Sequence, residues 1–312
     1  MRVERHDDAG PHVYVEEGTS MAQVTAAMVK QLREMTDSPM MECKRALVET
    51  DGDIEAAVDV LRKSGVAKAA KKAGRATTEG AVAAYVSEDG ATAALVELKC
   101  ETDFVSSNPK FTGFAASIAK AVAANDPADI DALMASPLNE KESVSEGLTE
   151  MIHVIGENMK ISRFARSFTT GGAFSSYVHM GGKIGVIAEF ALGKAETAQA
   201  EAFKVMAHDV AMQVAAAKPL CATREEMPQA TIDHEMEIYK AQAAESGKPE
   251  NIQEKMAQGR LEKFFKESTL VDQVFVKDPE KTISQYVAGV AKELGDTIAI
   301  KGFTMFVQGE DE

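Results

Sequence analysis

The apolar pattern near the start of the chain predicts a small helical module over residues 21–65. Apolar side chains recur there at three- and four-residue spacing, as on one face of a helix, and they are Val24, Ala27, Met28, Leu32 and Met35. A second helix is predicted to begin with Ser38 as its cap and Pro39 at its first position. A third helix is predicted to begin with Asp53 as its cap and to end near Gly65. Three short helices therefore make up the predicted module.

After an Ala-, Lys- and Gly-rich linker over residues 66–79, the chain repeats itself at a constant offset of 92 residues. The matches include residue types that chance pairs less readily than alanine: Gly80 with Gly172, Tyr85 with Tyr177, Phe111 with Phe203, and Pro127 with Pro219. Each copy has the pattern of strand, tight turn, strand and helix, with Asp89-Gly90 and Gly181-Gly182 at the turns. We therefore predict two similar subdomains, joined by a helical stretch around residues 148–159.

Between residues 223 and 267 the repeat stops and the apolar spacing becomes helical again, with Ser246–Pro249 between two helical stretches. A strand-like run follows at residues 297–308, so the predicted hairpin is inserted in the second subdomain. The predicted fold class is α+β. It combines the three-helix module with a duplicated core of two small antiparallel sheet-plus-helix subdomains (80–160 and 161–312) and an inserted antiparallel helical hairpin (223–267).

Composition and charge narrow the class of protein. The chain has 49 acidic and 34 basic residues, a net charge of −15, which argues against general nucleic-acid binding because phosphate contacts need clustered cations. Apolar runs fall short of the ~18–20 residues that a membrane span needs. The three cysteines are widely spaced and odd in number, which favours a reducing cytoplasm over a disulfide framework. We therefore predict a cytoplasmic protein.

Charge is distributed unevenly along the chain. Residues 1–20 carry a net charge of −3 without apolar periodicity, and they are predicted to be a flexible leader, an upstream start or residues left from cloning. Six basic residues fall within fourteen positions that contain no acid: Arg62, Lys63, Lys68, Lys71, Lys72 and Arg75. Two interpretations stay open for this run, a solvated helix end and a contact patch for an acidic partner.

The sequence contains no recognisable catalytic or metal-binding motif. His234-Glu235 begins like a zinc-protease helix, but Ile238 stands where the second histidine ligand is needed. No two cysteines have metal-ligand spacing. We therefore predict a binding protein and not an enzyme, with no cofactor and no bound metal.

The connection after the second strand differs between the copies. In the first copy it reads ETDFVS from Glu101 to Ser106, whereas the second copy reads LGKAET and places Glu196 opposite Phe104. One interpretation is that Phe104 closes a core that the second copy closes with Phe190. The other is that Phe104 is an exposed hydrophobic plug offered to a partner, because loops carry function while the scaffold carries packing. We favour the exposed plug.

Several stretches resemble signatures of the elongation factor Ts family. The most specific is Glu97–Ser106, ELKCETDFVS. Further similar stretches are Leu32-Arg33 with Thr36 and Met40–Lys44, Tyr177–His179 before Gly182, Ala216–Pro219, and Ser246–Pro249. The similarity runs from Met21 to about Val307.

The resemblance implies a guanine nucleotide exchange factor that binds elongation factor Tu, both with GDP and nucleotide-free, during translation elongation. It implies a ubiquitin-associated-like fold for the N-terminal module. It also implies that four residues of the ETDFVS stretch disturb the magnesium and phosphate site of the partner: Thr102, Asp103, Phe104 and Val105. Further contacts are implied from Leu32, Arg33, Met40, Met41, Cys43 and Lys44 in the module and from His179, Lys218 and Pro219 in the second subdomain.

Other functions remain as alternatives. The main one is an acidic two-subdomain cytoplasmic enzyme with its site between the repeats. A ubiquitin-type adaptor, based on residues 21–65 alone, leaves the duplicated core and the Thr-Asp-Phe-Val stretch unexplained. We expect no direct contact with nucleic acid or membrane, and the helical hairpin is a candidate surface for self-association.

Overall fold

The computed structural model describes residues 24–310 and divides the chain into two compact units between Ser64 and Gly65. The predicted leader, residues 1–20, lies outside the described residues. The first unit contains helix α1 (Ala26–Thr36), helix α2 (Met40–Glu49) and the first half of helix α3 (Ile54–Lys72). Its core is apolar and consists of Val29, Leu32, Cys43, Ala46, Leu47, Ala57 and Leu61.

The helix caps of this unit agree with the sequence at one position and differ at another. The Asp53 carboxylate accepts a hydrogen bond from the Ala56 N–H at 3.0 Å, as expected of a cap. The prediction of Ser38 as a cap is wrong, because α2 begins at Met40 with Pro39 as its N-cap residue. A residue before proline is driven to an extended conformation, and the Ser38 hydroxyl donates back to the Thr36 carbonyl.

Helix α3 is longer than the sequence predicted. It continues through Gly65 to Lys72, so that half of the predicted linker is helical. A glycine inside a helix costs about 1 kcal/mol relative to alanine, but the residues that follow, VAKAAKK, are mostly strong helix formers. The Lys72 ammonium also donates to the Ile152 carbonyl at 3.2 Å, which ties the end of this helix to the first core subdomain.

The first core subdomain has a three-stranded antiparallel sheet: β1 (Glu79–Val86), β2 (Thr92–Cys100) and β3 (Met159–Phe168), with β2 in the centre. Its helices are α4 (Asp103–Ser106), α5 (Pro109–Asn125), α6 (Ile130–Ala135) and α7 (Val144–Ile155). Strand β3 was not predicted, because three cations interrupt its apolar residues. Since β3 pairs with β2 along its length, the predicted boundary at residue 160 falls inside a strand of the first sheet.

The second core subdomain begins with β4 (Gly172–His179), β5 (Ile184–Leu192) and α8 (Glu201–Ala217). The inserted hairpin follows as α9 (Gln229–Ala244) and α10 (Glu250–Ser268), which pack against each other. A short ribbon of β6 (Val274–Phe275) and β7 (Asp278–Thr282) leads to α11 (Ile283–Leu294) and β8 (Ile298–Val307). Strand β8 pairs with β5, so this sheet has the order β4-β5-β8.

The duplication extends further than the sequence repeat. Both bounds of β5 and of α8 lie 92 residues after those of β2 and α5, and a β-bulge falls at Glu97 and again at Glu189. The bounds of α11 and β8, however, lie 139 residues after those of α7 and β3. The hairpin and the β6–β7 ribbon are inserted between α8 and α11 and shift the register. The second half of the repeat therefore escaped detection at a single offset.

The two sheets of the core pack face to face. Alternate residues of β2 point to opposite faces, so Val96 lies in the cluster covered by α5 whereas Leu95 lies in a cluster between the sheets. Phe174 and Ile187 of the second sheet complete this middle cluster, and α8 and α11 cover the outer face of that sheet. The core therefore has four layers in the order helix, sheet, sheet, helix. The connections from strand to helix lie at the edge of this stack.

Candidate functional site

The turn that follows β2, residues 101–106, is the most distinctive surface feature of the core; we name it the Phe104 turn. Thr102 is extended and acts as the N-cap of α4, since its hydroxyl accepts a hydrogen bond from the Val105 N–H at 3.4 Å. The hydroxyls of Ser106 and Ser107 both donate to the Asp103 carbonyl, at 2.9 and 3.0 Å. Short polar side chains therefore close the turn from both ends.

Adjacent residues of the turn have opposite environments. The Phe104 side chain is 86% exposed, while Val105 is buried in the core beneath α5. Asp103 is exposed beside Phe104. An aromatic ring exposed to this extent is unusual, because its burial elsewhere in the protein would provide roughly 1.5–3 kcal/mol. Phe104 therefore does not close the first core, whereas Phe190 of the second copy is fully buried, which rules out the structural interpretation of Phe104.

Residues that are distant in sequence hold the Phe104 turn in place. The Glu157 carboxylate accepts the Thr102 hydroxyl at 2.6 Å and the backbone N–H groups of Glu101 and Thr102, each at 3.1 Å. In return the Glu101 carboxylate accepts the Asn158 N–H at 2.6 Å and the Arg75 guanidinium at 3.3 Å. Sequence reasoning missed Glu157, because nothing in its local pattern indicates this contact.

The equivalent connection in the second copy, residues 193–198, is the twin turn. Its Glu196 is exposed where the first copy has Phe104. Asp296 accepts the Lys194 N–H at 3.1 Å, as Glu157 accepts the equivalent Thr102 N–H. The threonine hydroxyl that Asp296 accepts at 2.6 Å belongs to Thr197, which lies opposite Val105 and not opposite Thr102. A carboxylate from a distant segment therefore holds each turn, whereas the exposed ring is present only in the first copy.

The N-terminal module presents some of its predicted contact residues and buries others. Arg33, Met40, Met41 and Lys44 are exposed. Leu32 and Cys43 are fully buried in the core of the module and present no surface to a partner in this conformation, because a motif can mark the core as well as the surface. The exposed surface of α2 also includes Val48, at 57% exposure, which the motif does not contain.

The predicted residues of the second subdomain lie at two places. His179 is exposed at the end of β4, where its Nδ1 is 2.9 Å from the Tyr177 hydroxyl. Lys218 is exposed at the end of α8, whereas the neighbouring Pro219 is buried in this conformation. Sequence analysis did not single out two exposed apolar neighbours of these residues. They are Met180, which follows His179 and is 74% exposed, and Leu220, which follows Pro219 and is 64% exposed.

The run of cations near the end of α3 serves two purposes. Lys72 and Arg75 contact the core, through the Ile152 carbonyl and the Glu101 carboxylate. Arg62, Lys63 and Lys71 are exposed. The interpretation as a solvated helix end therefore covers only part of the run, since two of its cations anchor structure next to the Phe104 turn.

Three features of the described residues bear on chemical reactivity: the candidate metal ligands, the cysteine thiols and a cleft of the core. No group of three or more His, Cys, Asp or Glu side chains within residues 24–310 is arranged to hold a metal ion. Burial raises the pKa of the Cys100 thiol to about 12, with a further increase from the Glu157 carboxylate, and burial also raises the pKa of Cys43 and Cys221. A cleft of about 150 Å³ between the two subdomains includes Ser87, Glu88 and Lys204 in its lining, but neither histidine nor cysteine.

Comparison with known proteins places the chain in a family. The family described as elongation factor TS matches residues 101–310, a stretch that begins at the first residue of the Phe104 turn. The chain belongs to the elongation factor Ts family. Proteins named elongation factor Ts from Trichlorobacter lovleyi and Clostridium perfringens are 48% and 47% identical to it. A relative of the same name from Clostridium botulinum is 44% identical, and each of these alignments covers 92% of this chain and 93% of the relative.

Membership of the elongation factor Ts family agrees with the α+β architecture and with the motif around the Phe104 turn. Within residues 24–310, no helix combines the length and the apolar character needed to cross a bilayer.

Proposed function

We propose that this protein is the guanine nucleotide exchange factor for elongation factor Tu in translation elongation, acting in the cytoplasm. It binds the GDP-bound partner, promotes release of GDP and remains bound to the nucleotide-free form. The role is binding without covalent chemistry, so the protein itself needs no cofactor. Membership of the elongation factor Ts family supports the role, and the Phe104 turn supports the mechanism.

The single observation that carries the mechanism is the 86% exposure of Phe104 on a turn closed by hydrogen bonds at both ends. An exposed ring on a braced turn is suited to insert into a partner, because little conformational freedom is lost on binding. In the proposed complex Asp103 and Phe104 enter beside the magnesium site of Tu. Their entry disturbs the metal coordination and the phosphate-binding loop, and GDP is released.

The energetics require more than one contact. A shift of about 10⁴-fold in an equilibrium needs about 5.5 kcal/mol of differential binding, whereas burial of one Phe provides roughly 1.5–3 kcal/mol. The remainder comes from the disturbed metal site and from the wider interface. By reciprocity, GDP must weaken the binding of this protein to Tu by the same factor as this protein weakens the binding of GDP.

The wider interface in this proposal uses exposed residues of both units. In the module these are the exposed residues Arg33, Met40, Met41 and Lys44. In the second subdomain they are His179 and Lys218. Self-association through the α9–α10 hairpin remains part of the proposal, and neither nucleic acid nor membrane is included among the partners.

The test is release of fluorescent GDP from purified Tu in excess unlabelled GDP. We expect the protein to accelerate release in proportion to its concentration until the partner is saturated. Release at the spontaneous rate at saturating protein would refute the proposed function.

A further inference from the structure

We infer that Glu157 is a positioning residue for nucleotide exchange, because it holds the Phe104 turn in the orientation that the partner meets. This inference rests on the proposed function and adds a residue outside the motif of the turn. Glu157 lies between α7 and β3. Its three hydrogen bonds all go to the turn: the Thr102 hydroxyl at 2.6 Å and the N–H groups of Glu101 and Thr102, both at 3.1 Å.

These bonds fix the backbone immediately before the exposed ring. Thr102 connects Glu157 to α4, because the same hydroxyl that donates to Glu157 accepts the Val105 N–H. Val105 is in turn buried in the core. Phe104 therefore lies between a residue held by Glu157 and a residue held by packing. Loss of the carboxylate releases one of these two supports and leaves the other.

The Glu101 carboxylate makes a further contact for which the twin turn has no equivalent side chain. The Glu101 carboxylate accepts the Asn158 N–H at 2.6 Å, so the segments around residues 101 and 157 each donate to a carboxylate of the other. The position equivalent to Glu101 at the offset of 92 is Gly193, where a Cβ would clash with the Asp296 carboxylate. The Gly193 N–H instead donates to the Thr297 carbonyl at 3.0 Å, so the reciprocal carboxylate contact is present only in the turn that carries an aromatic ring.

The physical reason for such support is pre-organisation. If the backbone of the turn is mobile, the ring can move aside instead of displacing groups in the partner. Ordering a mobile turn on binding also has an entropic cost. A turn that is already ordered in the free protein avoids that cost. Glu157 is therefore expected to affect the rate of GDP release more than the affinity for nucleotide-free Tu.

The twin turn supplies a matched control. Asp296 follows α11 as Glu157 follows α7, both acids come one residue after a glycine with positive φ, and both accept the N–H at matching positions, Lys194 and Thr102, at 3.1 Å. The threonine hydroxyls that they accept come from different positions, Thr197 and Thr102, so Glu157→Ala and Asp296→Ala remove corresponding but not identical supports. We expect similar losses of thermal stability from both variants, but a slower GDP release, by about three- to tenfold, only from Glu157→Ala.

A spectroscopic measurement tests positioning without the partner. The chain contains no tryptophan, so Phe104→Trp introduces a single tryptophan reporter at the tip of the turn. In that background we expect Glu157→Ala to increase the amplitude of the nanosecond anisotropy decay of Trp fluorescence, and Asp296→Ala to leave it unchanged. An unchanged decay with Glu157→Ala would overturn the inference.

The outcomes separate this inference from the proposed function. If Phe104→Ala leaves GDP release at the parental rate, the mechanism and the inference both fail. If Phe104→Ala slows release but Glu157→Ala behaves like Asp296→Ala, only the inference fails. If Glu157 acts through the ring, the double variant Phe104→Ala/Glu157→Ala releases GDP no more slowly than Phe104→Ala alone, and additive losses would count against it.

A milder pair of variants applies if Glu157→Ala does not fold. Thr102→Val removes the hydroxyl that Glu157 accepts and keeps the shape of the side chain, while Glu157→Gln keeps a carbonyl oxygen for the backbone N–H groups. We expect Glu157→Gln to retain most of the exchange rate and Thr102→Val to lose more of it. Equal, parental rates for both variants would contradict positioning by Glu157.

Discussion

Truncation of Phe104 to alanine is expected to separate exchange activity from stability. The ring is 86% exposed, so about one seventh of it is covered, and its removal costs about 0.2–0.4 kcal/mol of the ~1.5–3 kcal/mol that full burial provides. The matched control is Phe190→Ala in the second copy. Phe190 is fully buried, and its truncation is expected to lower the free energy of unfolding by about 3–5 kcal/mol.

The expected effect on exchange follows from the part of the ring that is exposed in the free protein. Suppose that Tu covers the exposed part of the ring only in the transition state for GDP release. Phe104→Ala then removes about 1.3–2.6 kcal/mol of stabilisation from that transition state. This corresponds to a GDP release that is slower by about 10- to 80-fold. Binding to nucleotide-free Tu should weaken less, because the rest of the interface is unchanged.

Two measurements on the same preparation check this prediction. Denaturant unfolding followed by far-ultraviolet circular dichroism gives the free energy of unfolding, and stopped-flow fluorescence of labelled GDP gives the release rate. Two results would each refute the reasoning. One is a loss of stability near that of Phe190→Ala, which would mean that the ring is buried in solution. The other is a folded Phe104→Ala protein that accelerates release as the parent does.

Further perturbations test the interface, the core and the thiols. Lys44→Glu is expected to slow association with Tu and to change its salt dependence, with Lys292→Glu on α11 as the control; equal association rates at low salt would remove Lys44 from the interface. Arg163→Ala is expected to lower the free energy of unfolding by about 1.5–3 kcal/mol, because the buried Glu97 carboxylate loses the guanidinium 2.8 Å away but keeps Lys99 at 3.9 Å and the Gly309 N–H at 2.9 Å. Unfolding at the parental midpoint would contradict this. Burial raises the pKa of the Cys100 thiol to about 12, so the folded state favours the neutral thiol. The stability that depends on the neutral thiol is therefore complete below pH 9 and is lost as pH rises towards 12. Unfolding of the parent and of Cys100→Ala, compared across this pH range, measures the loss.

The internal repeat shows how far local pattern reaches. Asp-Gly and Gly-Gly dipeptides located both hairpin turns, because the tight turn requires positive φ, and Gly90 and Gly182 adopt it. The strands and helices that follow lie in the predicted order at the same offset. The sequence difference between the two copies also singles out Phe104, which is 86% exposed. Two copies of one scaffold make a difference between them informative.

The burial of the motif residues shows a conflict within the sequence reasoning itself. Helical periodicity placed Leu32 on the apolar face of α1, and it is fully buried there. The family motif, in contrast, suggested Leu32 and Cys43 as partner contacts. Met35, on the same predicted face, is 59% exposed. Periodicity identifies the side of a helix that is apolar, but which of those residues a neighbouring helix covers depends on where that helix packs.

The sequence by itself determined most of the helices and hairpins, the duplication, and the contrast between Phe104 and Glu196 in the two copies, because these depend on spacing and on short-range backbone preferences. Only the tertiary structure decided that β3 joins the first sheet and that Glu157 holds the turn at Thr102, 55 residues away along the chain. Such contacts arise from the way that strands pair and layers stack. A hydrogen bond between distant segments leaves no periodic signal in either segment, so the support of the Phe104 turn became visible only in the folded chain.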